Sequence, residues 1–266
     1  MHHPIITLTS DFGYRDPYVA EMKGVILSIS PQASIIDISH QVDKFNIQTG
    51  AFLLSSVASY YPKGTIHVAV VDPGVGTSRK ALLIETTKQF FIGPDNGVLA
   101  PVVHRQGIQH IYHITNFDMM LPKISPTFHG RDVFAPMAAH LANGISPSAS
   151  GPELQKITLL ELGGLRKKNG IIWGEVIHID DFGNLITNIP VEELGLSDLV
   201  NLVIQVKNKT VKLSQFFAEK KKKELLAIIG SHGQLEISVN QGSATKKLNV
   251  KIGDPIKILE ILGYPQ

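Results

Sequence analysis

Apolar residues along the first 140 positions switch between two periods. Ile5-Ile6-Thr7-Leu8-Thr9 is a short, β-branched run that stops at Ser10-Asp11-Phe12-Gly13. Behind it, Val19, Met22, Val25, Ile26 and Ile29 recur at helical spacing, opened by Asp16-Pro17 and closed by Ser30-Pro31. Asp is a good N-cap and Pro fits the first helical position, so the segment is predicted to be a helix. Residues 34–38 read as a second strand and 50–60 as a second helix. Ile66-His67-Val68-Ala69-Val70-Val71 is a nearly unbroken apolar run, as expected of a strand buried on both faces of a parallel sheet, and it ends in the turn-rich Asp72-Pro73-Gly74-Val75-Gly76. Further strands are predicted at 81–85, 90–92 and 111–114, with a helix beginning near Arg131. This alternation predicts an α/β sheet with helices on both faces.

The texture changes after about residue 150. Residues 146–170 are irregular and rich in Gly, Ser and Lys, which suits a linker or domain edge. Short β-type runs follow at 171–179, 202–206, 210–213, 226–229, 235–239 and 255–259, with no long helix among them. They predict a smaller antiparallel, barrel-like or sandwich domain. The expected organisation is an α/β domain over 1–160 and a β domain over 171–266.

Composition narrows the chemistry. An apolar share of 43% in 266 residues supports real cores and excludes a disordered chain. Twenty-five basic against 23 acidic side chains leaves +2, too little field to hold nucleic acid or an anionic membrane. The four-lysine run 220–223 reads as a solvated loop. The absence of cysteine excludes disulfides, thiolate nucleophiles and cysteine-ligated zinc or iron–sulfur clusters. No apolar run reaches membrane-span length and Met1-His2-His3-Pro4 does not resemble a leader, so a cytoplasmic location is expected. The 11 histidines show no metal-ligand spacing, and no metal site is expected.

Polar residues gather where the apolar strands end, which is where open α/β sheets bind ligands. Asp11 follows the first strand and Asp72 the strand ending at Val71. Either could close a local Asx-turn, but two such carboxylates suggest a site. Asp11-Phe12-Gly13 and His129-Gly130-Arg131-Asp132 imitate kinase motifs in the wrong order and without a phosphate loop. No dinucleotide fingerprint, P-loop or nucleophile elbow is present. What remains is a set of dense polar strings: 72–79, Gly93-Pro94-Asp95-Asn96-Gly97, and Thr127-Phe128-His129-Gly130-Arg131-Asp132. The later Asp180-Asp181-Phe182-Gly183-Asn184 and Ser231-His232-Gly233 read as hairpin turns of the β domain.

Taken together, these strings resemble the S-adenosyl-L-methionine hydroxide adenosyltransferases, relatives of fluorinase and the chlorinase. The match includes Leu8-Thr9-Ser10-Asp11-Phe12-Gly13, Val71-Asp72-Pro73-Gly74-Val75-Gly76 with Arg79, 93–97, 128–132, and Phe182-Gly183-Asn184 with Thr187-Asn188. The resemblance implies two domains, a homotrimer with sites at subunit interfaces, and hydrolysis of S-adenosyl-L-methionine to adenosine and L-methionine with no cofactor. It also implies roles. Asp72, Arg79 and His129 match the set that activates water. Asp11 matches the carboxylate for the ribose hydroxyls and Phe45 the aromatic residue that closes over the ribose. Asp16, Asp180 and Ser231 match positions at the methionine end, and Phe182 and Asn184 match adenine contacts.

Departures from the halogenase pattern are informative. Val75 and Gly130 stand where halide contacts carry hydroxyls, no long insertion follows Arg79, and His232 replaces an Arg expected near the substrate carboxylate. The competing expectations are halide-dependent adenosyl transfer and a non-catalytic nucleoside-binding module. Whether Asp72 or His129 accepts the proton, and whether Asp180 or Asp181 faces substrate, stays open at this point.

Overall fold

The computed structural model describes residues 3–160, 165–194 and 202–259. Part of the expected linker (161–164) and the outer ends of both expected domains (1–2 and 260–266) lie outside the described residues. The chain divides into two compact units, Met1–Leu160 and Glu161–Gln266.

In the first unit, β1 (Ile5–Ser10), α1 (Tyr18–Ile29), β2 (Ser34–Ser39), α2 (Ile47–Val57) and β3 (Ile66–Val70) are followed by β4 (Ala81–Thr86), β5 (Phe90–Pro94), α3 (Ala100–Gln106), β6 (Ile108–His113) and α4 (Ala135–Ala142). The six strands form one sheet in the order β2-β1-β3-β5-β4-β6. β1 pairs in parallel with β2 and β3, and β3 with β5, whereas β4 runs antiparallel to both its neighbours. The sheet is therefore mixed rather than parallel throughout, because the antiparallel β4 is inserted between β5 and β6 and strand composition does not reveal pairing direction. Every side chain of β3 is buried, as its apolar run predicts. Ile66, Val68 and Val70 face the cluster that holds Met22 and Ile26 of α1 and the apolar side of α4. Ala69, Leu82, Ile84 and Phe91 face Leu54 of α2 and Val102 and Val103 of α3. Helices thus cover both faces of the sheet.

Two helices depart from expectation. α2 starts earlier than residue 50, because Asn46 caps it by accepting the Thr49 N–H at 3.0 Å. Gly50 masks the pattern, yet it is a packing choice: a Cβ there would lie 2.8 Å from Cγ2 of Val71. α3, for which the pattern gives no expectation, carries Pro101 in its first turn and closes at Gly107.

In the second unit, β7 (Arg166–Lys168), β8 (Ile171–Ile179), β9 (Leu185–Pro190), β10 (Val203–Val206), β11 (Lys209–Lys212), β12 (Leu225–Ile229), β13 (Gln234–Val239) and β14 (Pro255–Leu259) are accompanied by one short helix, α5 (Ala244–Leu248). Seven strands run in the order β11-β10-β14-β8-β9-β13-β12, and β7 pairs with β8. All ladder pairings are antiparallel. A parallel bridge from Leu213 to Ala227 brings the two edges together, leaving a nearly closed barrel. Its interior is filled by alternating residues such as Val176, Ile204, Leu235, Ile237 and Ile256.

Candidate functional site

β1 and β3 lie side by side and parallel, with Ser10 opposite Val70. From β1 the chain crosses through α1 to β2 on one side, then returns through α2 to β3 on the other. The two crossover helices pack on opposite faces of the sheet. A crevice opens outside the carboxyl ends of strands at such a reversal. Asp11 and Asp72 stand at those two ends, and both line a cavity of about 380 Å³. Asp16, Lys44, Phe45, Val75, Phe128, His129 and Gly130 also line it.

The cavity's polar centre is built from two loops. Asp72 accepts two hydrogen bonds from Arg79, from Nε at 3.0 Å and from Nη2 at 2.5 Å. Both side chains are nearly enclosed, at 5% and 10% exposure. Arg79 Nη2 also donates to Nδ1 of His129 at 2.7 Å, and the guanidinium lies 5.4 Å over the Phe134 ring. One cation thereby ties the loop after β3 to the segment before α4. Burial, followed by the Arg79 charge, holds the His129 imidazole below its ordinary pKa. A guanidinium has only protons to offer, so Nδ1 must be the acceptor and the neutral ring carries its proton on Nε2.

The His129 segment is fixed from behind. His129 leads into a single π-helical turn over Gly130–Phe134, a geometry found often at functional positions. Asp132 is fully buried, accepts the Ser125 N–H at 2.7 Å and pairs with Arg131 at 2.6 Å. Arg131 in turn reaches Glu21 on α1 at 2.7 Å. Phe128 meets Phe12 and Tyr18 edge-on, with ring centroids 5.5 and 5.2 Å apart. Gly76 completes the fit between the loops: its φ is +78°, and a Cβ would sit 2.3 Å from the Pro126 carbonyl oxygen.

Asp11 also organises a strap over the cavity. Its Oδ2 accepts the Phe45 N–H at 2.9 Å, and its main-chain carbonyl accepts from Lys44 Nζ. Phe45 has a φ of +66°, a left-handed conformation costly for an aromatic residue, and its ring is 69% exposed. Asp16 lines the cavity and makes no cap for α1, whose N-terminus lacks a side-chain cap. Its carboxylate is thereby left to the cavity.

Sequence reasoning missed Lys44, whose role shows only in three dimensions, and also the support behind β1. There, His40 Nδ1 is 2.7 Å from Ser10 Oγ, and its Nε2 is 3.1 Å from Asp37. This run imitates a nucleophilic triad. Ser10 is buried and also accepts the Phe12 N–H, and burial lowers the His40 pKa despite Asp37, so it acts as a neutral brace.

The barrel unit presents a second cavity, of about 650 Å³, lined by Asp180, Phe182, Asn184 and Ser231 together with Phe217, Glu236 and Asn240. The β8–β9 turn supplies the first three. Asp180 Oδ1 accepts the Asn184 N–H at 2.8 Å and Oδ2 accepts its side-chain amide at 2.9 Å. Gly183, with φ +82°, is needed because a Cβ would collide with Ser243 Oγ at 2.1 Å. Phe182 projects from the turn, 79% exposed. Asp180 lines the cavity, whereas Asp181 is exposed and does not. The β12–β13 turn brings Ser231 to the cavity but not His232.

Comparison with known proteins identifies the family. Residues 6–151 match the SAM hydroxide adenosyltransferase N-terminal domain, and residues 174–257 match the corresponding C-terminal domain. A Methanocaldococcus jannaschii protein named (R)-S-adenosyl-L-methionine hydrolase is 40% identical, over 96% of this chain and 95% of its own. A Thermus thermophilus protein of the same name is 37% identical, over 94% and 97% of the two chains. The fluorinase of Actinoplanes sp. is more distant, at 27% identity over 94% and 96%. A crystal structure of an uncharacterized conserved protein from Thermotoga maritima superimposes with a TM-score of 0.89 at 40% identity, covering 96% of this chain and all of that one. With both halves matched and the polar loops after β1 and β3 in place, the chain belongs to the SAM hydroxide adenosyltransferase family.

Proposed function

We propose that this protein hydrolyses S-adenosyl-L-methionine to adenosine and L-methionine by in-line attack of a water-derived hydroxide on the ribose C5′. The observation that carries the reading is the Asp72–Arg79–His129 contact at a cavity that also holds Asp11. A new C5′–O bond forms as the C5′–S bond breaks, and its electron pair leaves on a neutral thioether. The leaving group therefore needs no proton, and no cofactor is required.

The demanding step is the loss of a proton from water. Arg79 offers positive charge to the developing hydroxide, and the Nε2–H of His129 donates to the same oxygen. With Nδ1 occupied by Arg79, His129 has no lone pair left for a proton, which gives the acceptor role to Asp72. Hydroxide and sulfonium annihilate charge as they meet, so an enclosed pocket favours the transition state over the separated ions. Asp11 takes the ribose hydroxyls and Phe45 covers the sugar. Asp16, Asp180 and Ser231 serve the amino-acid end, and Phe182 and Asn184 the adenine.

The reading includes a homotrimer with sites at subunit interfaces and a cytoplasmic location, where S-adenosylmethionine is made. Among the described residues no helix is long and apolar enough to cross a membrane. Light scattering tests the trimer. Incubation with S-adenosylmethionine, in both sulfonium epimers because the relatives' names specify R, tests the activity by chromatography of adenosine. Adenosine formed without halide supports hydrolysis. A halogenated nucleoside formed only with halide, or binding without turnover, overturns it.

A further inference from the structure

We propose that Glu236 is a substrate-binding residue, the carboxylate that receives the primary ammonium of the substrate's amino-acid end. The proposal rests on the hydrolysis reading and deepens it.

On β13, Leu235, Ile237 and Val239 point into the barrel core, so Glu236 alternates to the outer face. There its cross-strand neighbours are apolar, Ile228 on β12 and Ile186 on β9. Room for the carboxylate comes from Gly230, where a Cβ would lie 2.8 Å from Glu236 Oε2. The side chain lines the same cavity as Asp180, Phe182, Asn184 and Ser231.

A carboxylate in such surroundings ordinarily has a cationic partner, since an unpaired charge out of water is costly. Glu236 has none from a lysine or arginine among the described residues. Its Oε1 accepts the Ser238 hydroxyl at 2.6 Å, and Oε2 lies over Gly230. Burial, and then the charge of Asp180, pushes its pKa up, against the Ser238 hydrogen bond and a weaker opposing effect of His232. Two carboxylates, Asp180 and Glu236, thus line a cavity whose lining, among the described residues, includes no lysine or arginine. Asp180 is the more committed carboxylate, because each of its oxygens already accepts from Asn184.

S-adenosylmethionine carries two cations. The sulfonium has no N–H and becomes a neutral thioether, so a hydrogen-bonding carboxylate gains little from it. The ammonium has three donors and keeps its charge throughout the reaction. An ammonium held between Glu236 Oε2 and the Ser231 hydroxyl side of the cavity relieves the Asp180–Glu236 repulsion.

Calorimetric titration of the full-length protein with S-adenosylhomocysteine, its des-amino analogue and adenosine tests this. Glu236→Gln is expected to weaken S-adenosylhomocysteine about 10–100-fold, as for loss of a charged hydrogen bond. Adenosine affinity should stay within about twofold, which also reports that the variant folds. In wild-type protein the des-amino analogue should bind as weakly as S-adenosylhomocysteine does to the variant. Equal loss for adenosine, unchanged affinity for S-adenosylhomocysteine, or a des-amino analogue that binds wild-type protein at full strength would each overturn the proposal. Failure of the hydrolysis reading looks different: wild-type protein would release no adenosine from S-adenosylmethionine.

Discussion

Arg79 Nη2 lies 2.7 Å from His129 Nδ1, joining residues fifty positions apart, while the same nitrogen donates to Asp72 at 2.5 Å. A planar fork can bridge a carboxylate and an imidazole at once, and a lysine ammonium cannot match that geometry. Arg79→Lys is therefore expected to lower kcat about 10²–10³-fold, as when one preorganised donor to a developing oxyanion is lost. Steady-state kinetics with S-adenosylmethionine checks it, and near-normal turnover would remove Arg79 from the mechanism.

If His129 works as a donor, a glutamine should partly replace it, since its amide can donate N–H and also accept from Arg79. His129→Gln is expected to retain at least about tenfold more activity than His129→Ala, within the 10²–10⁴-fold range of a positioned group. Asp72→Asn keeps the shape but loses the acceptor and should be as impaired as His129→Ala. Equal inactivity of the two His129 variants would point to the imidazole as the base.

The pH dependence follows from the same contact. Protonating His129 would set an N–H against the Arg79 guanidinium and break the bridge. Because burial and Arg79 lower this pKa, the neutral ring persists below the usual histidine range. The kcat profile should fall on the acid side with its midpoint below 6.5, the ordinary histidine value, and stay level above it. A midpoint above that value would contradict the assignment.

Asp11 is expected to act on binding. Asp11→Ala removes acceptors for a ribose diol and also frees the Phe45 N–H, so the strained strap loses its anchor. Affinity for adenosine should fall about 10–100-fold, corresponding to one or two hydrogen bonds to a charged group. Calorimetry decides, and unchanged affinity would contradict the pose.

His67 makes a prediction about stability. It is fully buried on β3, hydrogen-bonded to Thr7 at 2.7 Å and stacked on Phe91, and burial lowers its pKa to about 4. The unfolded chain, with an ordinary value near 6.5, binds the proton more readily between those limits. Stability should therefore be lost as pH falls from 6.5 toward 4, by on the order of 3 kcal/mol from this residue. Denaturant melts of wild-type protein and His67→Phe across that range should show a shallower acid loss in the variant.

Much of this architecture is legible in the sequence because it is written in local periodicity. The all-buried run of β3 and the helical spacing from Val19 to Ile29 appear as predicted. The reversed direction of β4 and the short α3 are not legible, since pairing direction is settled by tertiary contacts and seven residues are too few to display a helical period. The polar strings supply residues that line the two cavities, but the contacts among them join distant segments. Lys44 reaches the Asp11 carbonyl, and Glu236 finds room beside Gly230 in the β12–β13 turn. Neither relationship leaves a mark in a linear pattern. The adjacent pair Asp180 and Asp181 is likewise separated only by the turn geometry, which directs one inward and the other to solvent.

The central claim, that solvent oxygen replaces sulfur at C5′, is tested most directly by running the reaction in water enriched in heavy oxygen and weighing the nucleoside product. One heavy oxygen atom in the 5′-hydroxyl of adenosine is the predicted result. Unlabelled adenosine, or 5′-methylthioadenosine in its place, would contradict it.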